Sequence, residues 1–228
     1  MRWSKYALTA FVVAGLAGAP VAAQPAPAAP QARFVVLLDA AHGGDDTGGR
    51  LGNNQLEKNI TLALSVRLRS LLAARGIQVV TTRESDAMVA PDRRAEIANH
   101  AAAQACLSLH VTESGAGVHL FTSPLTPAAP ARFAAWKTAQ AAWVTRSLAL
   151  AGALNSALLH AGMSVTLGRS TLPTIDSMTC PAVTVEIAPE RNADHQTTAG
   201  LDDPQYQARV ASALAAALVE WRTEARQP

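Results

Sequence analysis

The stretch that decides the fold lies near the start of the chain, where residues 34–49 read FVVLLDAAHGGDDTGG. It opens with a continuous apolar run, Phe34 to Leu38, of strand length. Such runs are typical of a strand that is covered on both faces, as in the sheet of an α/β protein. Asp39 and a glycine-rich turn that contains His42 follow at once. The stretch therefore predicts a buried strand that ends in a polar turn.

The rest of the chain alternates between strand-like and helix-like segments. Apolar residues recur mostly at helical spacing from Glu57 to Ala74, and Gly76 stands where a helix C-cap would. Further patterns predict strands at 77–82, 105–109, 118–122 and 182–187, and helices at 92–99 and 206–221. This alternation predicts a single three-layer α/β domain, with a mixed, mostly parallel sheet of about six strands flanked by helices.

The first 23 residues have the features of a secretory signal peptide. Arg2 and Lys5 precede an apolar run, and small side chains stand before a cleavage position after Ala23. The run is shorter than the ~20 residues that cross a bilayer, which disfavours the alternative of a membrane anchor. We therefore expect cleavage and export to the periplasm, with no membrane span in the mature chain. A Pro/Ala-rich linker at 24–32 and one folded domain at 33–228 would follow.

The composition excludes a mainly disordered chain and gives no support to nucleic-acid binding. Hydrophobic residues make up 49% of the 228 residues, which is ample for a core. The chain has 19 Lys and Arg, and the loss of Arg2 and Lys5 with the leader leaves 17, equal to the 17 Asp and Glu. A net charge near zero provides no electrostatic footprint for nucleic acid or an anionic membrane. We expect a monomer, the default for a single soluble domain.

The segment after the strand at 118–122 has two interpretations. Proline-rich sequence leads into a stretch that is helical from about Ala131, with Phe133, Trp136 and Trp143 on an alanine-rich helix. These aromatic side chains either pack on the sheet or belong to a mobile segment that covers the active site or docks a partner.

The two cysteines also leave two interpretations open. Cys106 and Cys180 both lie at the start of apolar, strand-like runs. In an oxidising compartment they either pair or stay as two buried thiols.

Polar residues collect at the ends of the predicted strands. His42 follows the first strand and His110 ends the third, and ligands of open α/β sheets bind beyond the carboxyl ends of the strands. Glu186 lies inside an apolar strand, where an ionised carboxylate is costly unless it is paired, protonated or beside a metal. Glu57 opens the first helix. Each residue alone has an ordinary structural explanation, but two histidines with carboxylates are a sound ligand set for a catalytic zinc ion.

The sequence around these residues resembles the zinc-dependent N-acetylmuramoyl-L-alanine amidases, bacterial cell-wall hydrolases of the cell-separation type. The resemblance covers about residues 34–221 and rests on four blocks: VVLLDAAHGGDDTGG at 35–49, LEKNITLALSVRLRSLLAARGIQVVTTRESD at 56–86, DRRAEIANHAAAQACLSLH at 92–110 and CPAVTVEIAPERN at 180–192. By position in these blocks, the resemblance implies one zinc ion held by His42, Glu57 and His110. It implies that Glu186 is the catalytic acid/base. The positions of Arg83, Arg94 and Asn99 also match the family pattern.

The resemblance implies zinc-dependent hydrolysis of the amide bond between N-acetylmuramic acid and L-alanine of peptidoglycan stem peptides, in cell-wall remodelling or cell separation. Some members of the cell-separation type carry an inhibitory helical insertion in a place comparable to residues 125–144. A lid at 125–144, and an activator protein that acts on it, are therefore further expectations. One alternative is a catalytically impaired relative that binds peptidoglycan or a division partner. Another is a zinc carboxypeptidase or endopeptidase that acts on the stem peptide.

Three departures from the family pattern bear on substrate and rate. Ala40-Ala41 stands where the family usually has Pro-Gly, and Thr112 stands where it has Asn. Residues 188–192 read APERN, where the family favours Gly-Phe-Leu-Ser-Asn. We expect these positions to lie around the substrate groove and to affect specificity more than metal binding.

Overall fold

A central β-sheet organises the protein. The structure is a computed structural model, and it describes residues 33–131 and 135–224. The strands are β1 (Val35–Ala40), β2 (Gln78–Thr81), β3 (Ala105–Val111), β4 (Val118–Thr122), β5 (Val165–Arg169), β6 (Ala182–Ile187), β7 (Glu190–Arg191) and β8 (Thr197–Ala199). The α-helices are α1 (Glu57–Ala73), α2 (Pro91–His100), α3 (Val144–His160), α4 (Pro173–Asp176) and α5 (Pro204–Glu224), with 3-10 helices at Gly52–Asn54 and Trp136–Ala142. The predictions for residues 1–32 lie outside the described residues.

Six strands form one sheet in the order β2-β1-β3-β6-β4-β5. The strands β2, β1, β3 and β6 are parallel to one another. β4 runs antiparallel to β6, and β5 runs parallel to β4. β7 and β8 form a separate antiparallel pair. The predicted fold class, a mixed and mostly parallel sheet flanked by helices, is confirmed.

The two faces of the sheet are covered by different helices. Val36 and Leu38 of β1 face a large core that includes the leucines of α1 and α3 and the apolar face of α5. Val35 and Leu37 face a smaller core that includes alanines of α2 and Ile175 of α4. Because β1 is buried on both sides, it needs apolar side chains at successive positions, which explains its continuous apolar run.

Most predicted elements are found with shifts of a few residues at their ends. β4 and β6 have the predicted bounds, and Gly76 follows α1 with a positive φ of 70°. Neither β5 nor the short helix α4 was predicted. β5 is an edge strand whose Thr166 and Leu167 are exposed, so it lacks the apolar run that marks the inner strands.

The helix expected from about Ala131 begins later than predicted. Ala135 has an extended backbone, Trp136–Ala142 is a 3-10 helix, and α3 begins only at Val144. The fully buried side chain of Gln140 holds this segment, since its amide donates to the carbonyl oxygens of Met178 (2.8 Å) and Cys180 (3.1 Å). Phe133 lies outside the described residues, and Trp136 is 41% exposed.

Cys106 and Cys180 form a disulfide, which selects one of the two interpretations left open by the sequence. Both residues are buried. The bond joins β3 to the residues that lead into β6, at the end of the sheet opposite to the carboxyl ends of these strands.

Candidate metal centre and active site

His42, Glu57 and His110 come together at the carboxyl edge of the sheet. His42 lies in the turn after β1, Glu57 is the first residue of α1, and His110 is close to the end of β3. One possible ligand atom from each residue lies within 4.8 Å of those from the other two. The two imidazole rings are perpendicular, with centroids 5.4 Å apart. Residues separated by up to 68 positions in the chain thus present three donors to one point.

The carboxylate of Glu57 joins the two histidines. Its Oε1 lies 3.0 Å from Nδ1 of His110, and its Oε2 lies 3.2 Å from Nε2 of His42. The backbone N–H of Gly49 donates to Oε2 at 2.8 Å. Burial acts to raise the pKa of Glu57, but the hydrogen bonds from His110, His42 and Gly49 outweigh it and hold that pKa well below its usual range. Glu57 is therefore an anionic donor at neutral pH.

Asp46 orients the ring of His42. Both carboxylate oxygens of Asp46 lie 2.9 Å from Nδ1 of His42. Because a carboxylate can only accept, this contact favours a proton on Nδ1 and leaves Nε2 as the nitrogen that faces Glu57. A carboxylate on the outer nitrogen is the usual partner of a metal-binding histidine. The hydrogen bond with Glu57 raises the pKa of His42 above its ordinary value.

The turn after β1 depends on Gly48, which leaves room for the cluster. Gly48 has a φ of 63°, a conformation that L side chains rarely adopt. A Cβ atom there would lie 2.5 Å from Cδ2 of His42 and 2.7 Å from Oε2 of Glu57. Lys58 holds the other side of the turn, since its Nζ donates to the Gly44 carbonyl and to Asp86, each at 2.7 Å. The loop therefore has little freedom to move His42 and Glu57 apart.

Two buried arginines support the backbone that leads to His42. Arg94 donates to the carbonyl oxygens of Ala40 and His42, each at 2.7 Å, and to Asp39 at 2.6 Å. Arg83 donates to the carbonyl oxygens of Ala40 (2.9 Å) and Ala41 (3.0 Å). Burial, together with the neighbouring Arg94, lowers the pKa of Arg83, but a guanidinium stays charged at neutral pH. The match of these two arginines to the family pattern thus has a structural reason.

Asn99, whose position also matches the family pattern, lies away from the cluster. Its side chain donates to the Ser177 carbonyl (3.1 Å) and accepts from the backbone N–H of Thr179 (2.7 Å). It joins α2 to the loop ahead of β6 and makes no contact with the cluster of His42, Glu57 and His110.

Glu186 lies on β6, beside the cluster. In the register of the sheet it pairs with His110 of β3 on one side and with His119 of β4 on the other. Its half-buried side chain lines a cleft of about 210 Å³ together with His110, Phe121, Ser170, Leu172 and Thr184. Within residues 33–131 and 135–224, no hydrogen bond or ion pair engages its carboxylate. That carboxylate is therefore available to exchange protons with a bound molecule.

A second cleft adjoins the first on the other side of His110. It has a volume of about 200 Å³, and its walls include His42, Asp46, Val89 and Arg94. His110, Leu172 and Thr184 line both clefts. His42, His110 and Glu186 therefore face two adjoining clefts at the edge of the sheet.

A family model described as N-acetylmuramoyl-L-alanine amidase matches residues 36–220. The chain belongs to this amidase family. The germination-specific N-acetylmuramoyl-L-alanine amidase of Bacillus subtilis (strain 168) is 35% identical over 91 residues, which are 34% of this chain and 38% of that relative. The aligned stretch thus spans less than two-fifths of the relative.

Solved amidase structures share the fold. The catalytic domain of CwlV, an N-acetylmuramoyl-L-alanine amidase from Bacillus (Paenibacillus) polymyxa, is 23% identical with a TM-score of 0.66, and the match covers 83% of this chain and 98% of that domain. The CwlD amidase of Clostridioides difficile, solved in complex with the GerS lipoprotein, is 19% identical with a TM-score of 0.61. That match covers 84% of this chain and 100% of CwlD. No helix in the described part of this family member is long and apolar enough to cross a membrane.

The three departures from the amidase pattern lie in different places. Ala41 lines the cleft beside His42. Thr112 and residues 188–192 line neither cleft, and Glu190 and Arg191 form the short strand β7 instead. Ala41 therefore lies beside the site, and an effect of all three departures on substrate and rate stays a prediction.

Several residues of the site had no role in the sequence analysis. Asp46 was part of the quoted turn, and its position four residues after a histidine in a glycine-rich turn is a signal that could have identified it. Phe121 and Leu172 carry no such signal, since their place in the clefts depends on the unpredicted pairing of β4 with β5 and on the loop that follows β5.

Proposed function

We propose that this chain is a zinc-dependent N-acetylmuramoyl-L-alanine amidase. It hydrolyses the amide bond between N-acetylmuramic acid and L-alanine of peptidoglycan stem peptides, in cell-wall remodelling or cell separation. The observation that carries this proposal is the convergence of His42, Glu57 and His110 within 4.8 Å, in a member of the amidase family.

The donor set fits one zinc ion. Two imidazoles and one carboxylate are a common ligand set of catalytic zinc, in which the fourth position stays open. The buried carboxylate of Glu57 already has its oxygens directed at both histidines, so a cation among them would balance its charge. Zinc bound there would lower the pKa of a water molecule and polarise the carbonyl of the scissile amide.

Other residues of the chain would transfer protons or hold His42 in position. Glu186 takes a proton from the attacking water and passes it to the leaving amine of L-alanine, which is the role of a general base and then of a general acid. Its free carboxylate on β6, next to His110, supports this assignment. Asp46 holds the ring of His42 with Nε2 towards Glu57, where it could bind zinc, and Arg83 and Arg94 hold the backbone before His42 in place.

The proposal is tested by identifying the products formed from purified peptidoglycan. The mature protein, beginning at Gln24, is incubated with added zinc or with a chelator, and the soluble products are read by mass spectrometry. We expect stem peptides with a free N-terminal L-alanine, and no release with the chelator. Cleavage between stem residues would favour the peptidase alternative. No release by the zinc-loaded protein would favour a relative that only binds the cell wall.

A pair of histidine variants tests the ligand assignment. His110→Ala should lose bound zinc, measured by elemental analysis of the purified protein. His100→Ala is the matched control, because His100 is exposed at the end of α2 and lies outside the cluster. Retention of zinc by His110→Ala, as in His100→Ala, would remove His110 from the ligand set.

We infer that the enzyme acts in the periplasm. The signal-like sequence of residues 1–23 supports export, and peptidoglycan, the proposed substrate, lies outside the cytoplasm. Cell fractionation and N-terminal sequencing test this inference. A mature N-terminus at Gln24 in the periplasmic fraction is the expected result, and a full-length protein retained in the cytoplasm would contradict it.

Regulation through residues 125–144 stays a prediction. The amidase CwlD was solved with a lipoprotein bound, which supports a search for a protein partner here. No residue of 125–131 or 135–144 lines the two clefts, and Gln140 anchors the segment at the other end of β6. A deletion of 127–135 leaves Gln140 in place. If the segment restrains the enzyme, this deletion raises the rate of peptidoglycan hydrolysis, whereas an unchanged or lower rate removes the hypothesis.

A further inference from the structure

His119 lies directly opposite Glu186 in the sheet, on the side of β6 away from His110. Glu186 pairs with His119 in the antiparallel register of β6 and β4, and His119 pairs with Thr166 in the parallel register of β4 and β5. Residues that oppose each other in an antiparallel pair project from the same side of the sheet, with Cβ atoms about 5 Å apart. The His119 side chain therefore stands beside that of Glu186.

The ring of His119 is held in place by its other neighbours. Its Nδ1 shares a hydrogen bond with Oγ1 of Thr166 on β5. Backbone packs against the far edge of the ring, because a Cβ atom on Gly115 would lie only 2.7 Å from Nε2 and 2.9 Å from Cε1. Gly115 is fixed in turn, since Nε of Arg191 donates to its carbonyl oxygen at 3.1 Å. With contacts at both edges, the half-buried ring has little room to turn.

The carboxylate of Glu186 has no comparable anchor in the part of the chain that the structure describes, since no hydrogen bond or ion pair holds it there. A glutamate side chain turns about three single bonds, so its carboxylate can reach several positions. The Glu186 side chain lines the cleft that also contains His110 and Phe121, and His119 lies outside that lining. The directions open to the carboxylate are therefore set by the side chains around it.

We propose that His119 is a positioning residue for Glu186. Its fixed ring blocks the rotamers that would turn the Glu186 carboxylate towards β4, and it thereby keeps the carboxylate on the side of His110 and the other metal donors. This inference rests on the proposed function, in which Glu186 transfers the protons of the reaction. It gives His119 no contact with the substrate or with the reacting atoms.

A blocking ring orients a general base without weakening it. The base must lie within hydrogen-bond reach of the water that it deprotonates, and a displacement of about 1 Å can cost about 100-fold in rate. A hydrogen bond donated to the carboxylate would also fix its position, but such a bond favours the ionised form and makes the group a poorer base. Confinement by His119 explains how Glu186 is both oriented and free to accept a proton.

The test measures kcat and KM of the zinc-loaded protein on a soluble muramoyl-L-alanyl peptide. His119→Ala removes the ring, so we expect kcat to fall by about tenfold or more while KM and zinc content stay close to wild type. Thr166→Val keeps the size of the Thr166 side chain but removes the hydroxyl that holds the ring. Its kcat should fall less than that of His119→Ala, again at constant KM. Thermal unfolding of each variant shows whether the fold is kept.

A double-variant cycle shows whether His119 acts through Glu186. Glu186→Gln already lacks the group that His119 positions, so the addition of His119→Ala should cause little further loss of kcat. A merely structural role of His119, or direct contact with the reacting atoms, would lower kcat equally in both backgrounds. His160→Ala is the matched control, because His160 is exposed on α3 and its ring bonds the Ser156 carbonyl of the same helix. Its kcat should equal that of the wild type.

The outcomes separate this inference from the proposed function. If His119→Ala and Thr166→Val bind zinc and keep the kcat of an active wild type, the inference is wrong while the amidase function stands. An equal loss from His119→Ala in the wild-type and Glu186→Gln backgrounds overturns it as well. If His119→Ala does not fold, Thr166→Val in the same two backgrounds decides the question by the same criteria. Failure of the zinc-loaded wild type to cut the substrate would overturn the proposed function, and the inference with it.

Discussion

Glu57 shows how a residue with an ordinary sequence context can determine the electrostatics of a site. A glutamate at the start of a helix is most often there for the helix dipole, which is worth only about 0.3–1 kcal/mol. In the structure the same carboxylate is buried and bonded to two histidines and a backbone N–H. Neither histidine is near it in sequence, so its role depends on the tertiary fold.

At the same scale, Asp46 gives a direct prediction about metal affinity. Asp46→Asn replaces the carboxylate that fixes the ring of His42, and partners of this kind typically contribute 10–100-fold to metal binding. We expect the zinc dissociation constant to rise by roughly that factor, measured by competition with a chromophoric chelator. Asp45→Asn is the matched control, since Asp45 is exposed and does not contact His42. Equal affinities in the two variants would show that Asp46 does not orient His42.

At the scale of elements, the turn between β1 and α1 brings together two of the three residues of the candidate metal centre. The strand ends at Ala40 and the helix begins at Glu57, so the intervening loop must bring His42 back against the first helical turn. Gly48 makes this approach feasible, because its positive φ and missing side chain let the loop pass beside both His42 and Glu57. The pattern of glycines after the apolar run is visible in the sequence, but the residue that each glycine approaches is not.

Two neighbouring glycines provide a matched test of that turn. Gly48→Ala places a Cβ within 2.7 Å of both His42 and Glu57, in a conformation that costs an L-residue about 1–2 kcal/mol. We expect lower zinc affinity and a free energy of unfolding that falls by at least about 1 kcal/mol. In Gly49→Ala the nearest atom to the new Cβ is 3.4 Å away, an ordinary contact, and both properties should stay close to wild type. Indistinguishable variants in zinc titration and urea unfolding would contradict this view of the turn.

Some secondary-structure elements could be predicted from the sequence and others could not. Inner strands such as β1 and β6 are recognisable because burial on both faces demands a run of apolar residues. The edge strand β5 has exposed side chains and no such run. The composition of the segment before α3 predicts a helix. In the structure, however, the buried Gln140 side chain donates hydrogen bonds to the loop ahead of β6, and the segment around it is a 3-10 helix. Such a tertiary contact leaves no mark in the local sequence.

At the scale of the whole molecule, strand register explains why separate residues form one site. His110 and Glu186 are partners in the β3–β6 pair, and Asp39 and Ser108 are partners in the β1–β3 pair. The rule that ligands bind at the carboxyl ends of parallel strands predicts the edge. It does not predict the antiparallel β4, which brings Phe121 to the cleft beside Glu186. The rule thus predicts that His42, His110 and Glu186 lie at one edge of the sheet, but it does not predict the apolar residues that line the adjoining clefts.

The disulfide gives a prediction about the stability of the whole domain. Cys106 and Cys180 are 74 positions apart, so their bond restricts a long loop of the unfolded chain. Replacing both with alanine should lower the free energy of unfolding by about 2–5 kcal/mol, measured by urea denaturation. A reductant should destabilise the wild type and leave the double variant unchanged. Equal stability of the two proteins under oxidising conditions would contradict a paired state in solution.

The most direct test of the central claim is the hydrolysis of purified peptidoglycan by the Glu186→Gln variant beside the wild type, with the zinc content of both measured. Both proteins should bind zinc, and the wild type should release stem peptides with N-terminal L-alanine. The variant should do so about 10²–10⁴-fold more slowly, because it has lost the general acid and base. Hydrolysis at the wild-type rate by the zinc-loaded variant would contradict the account.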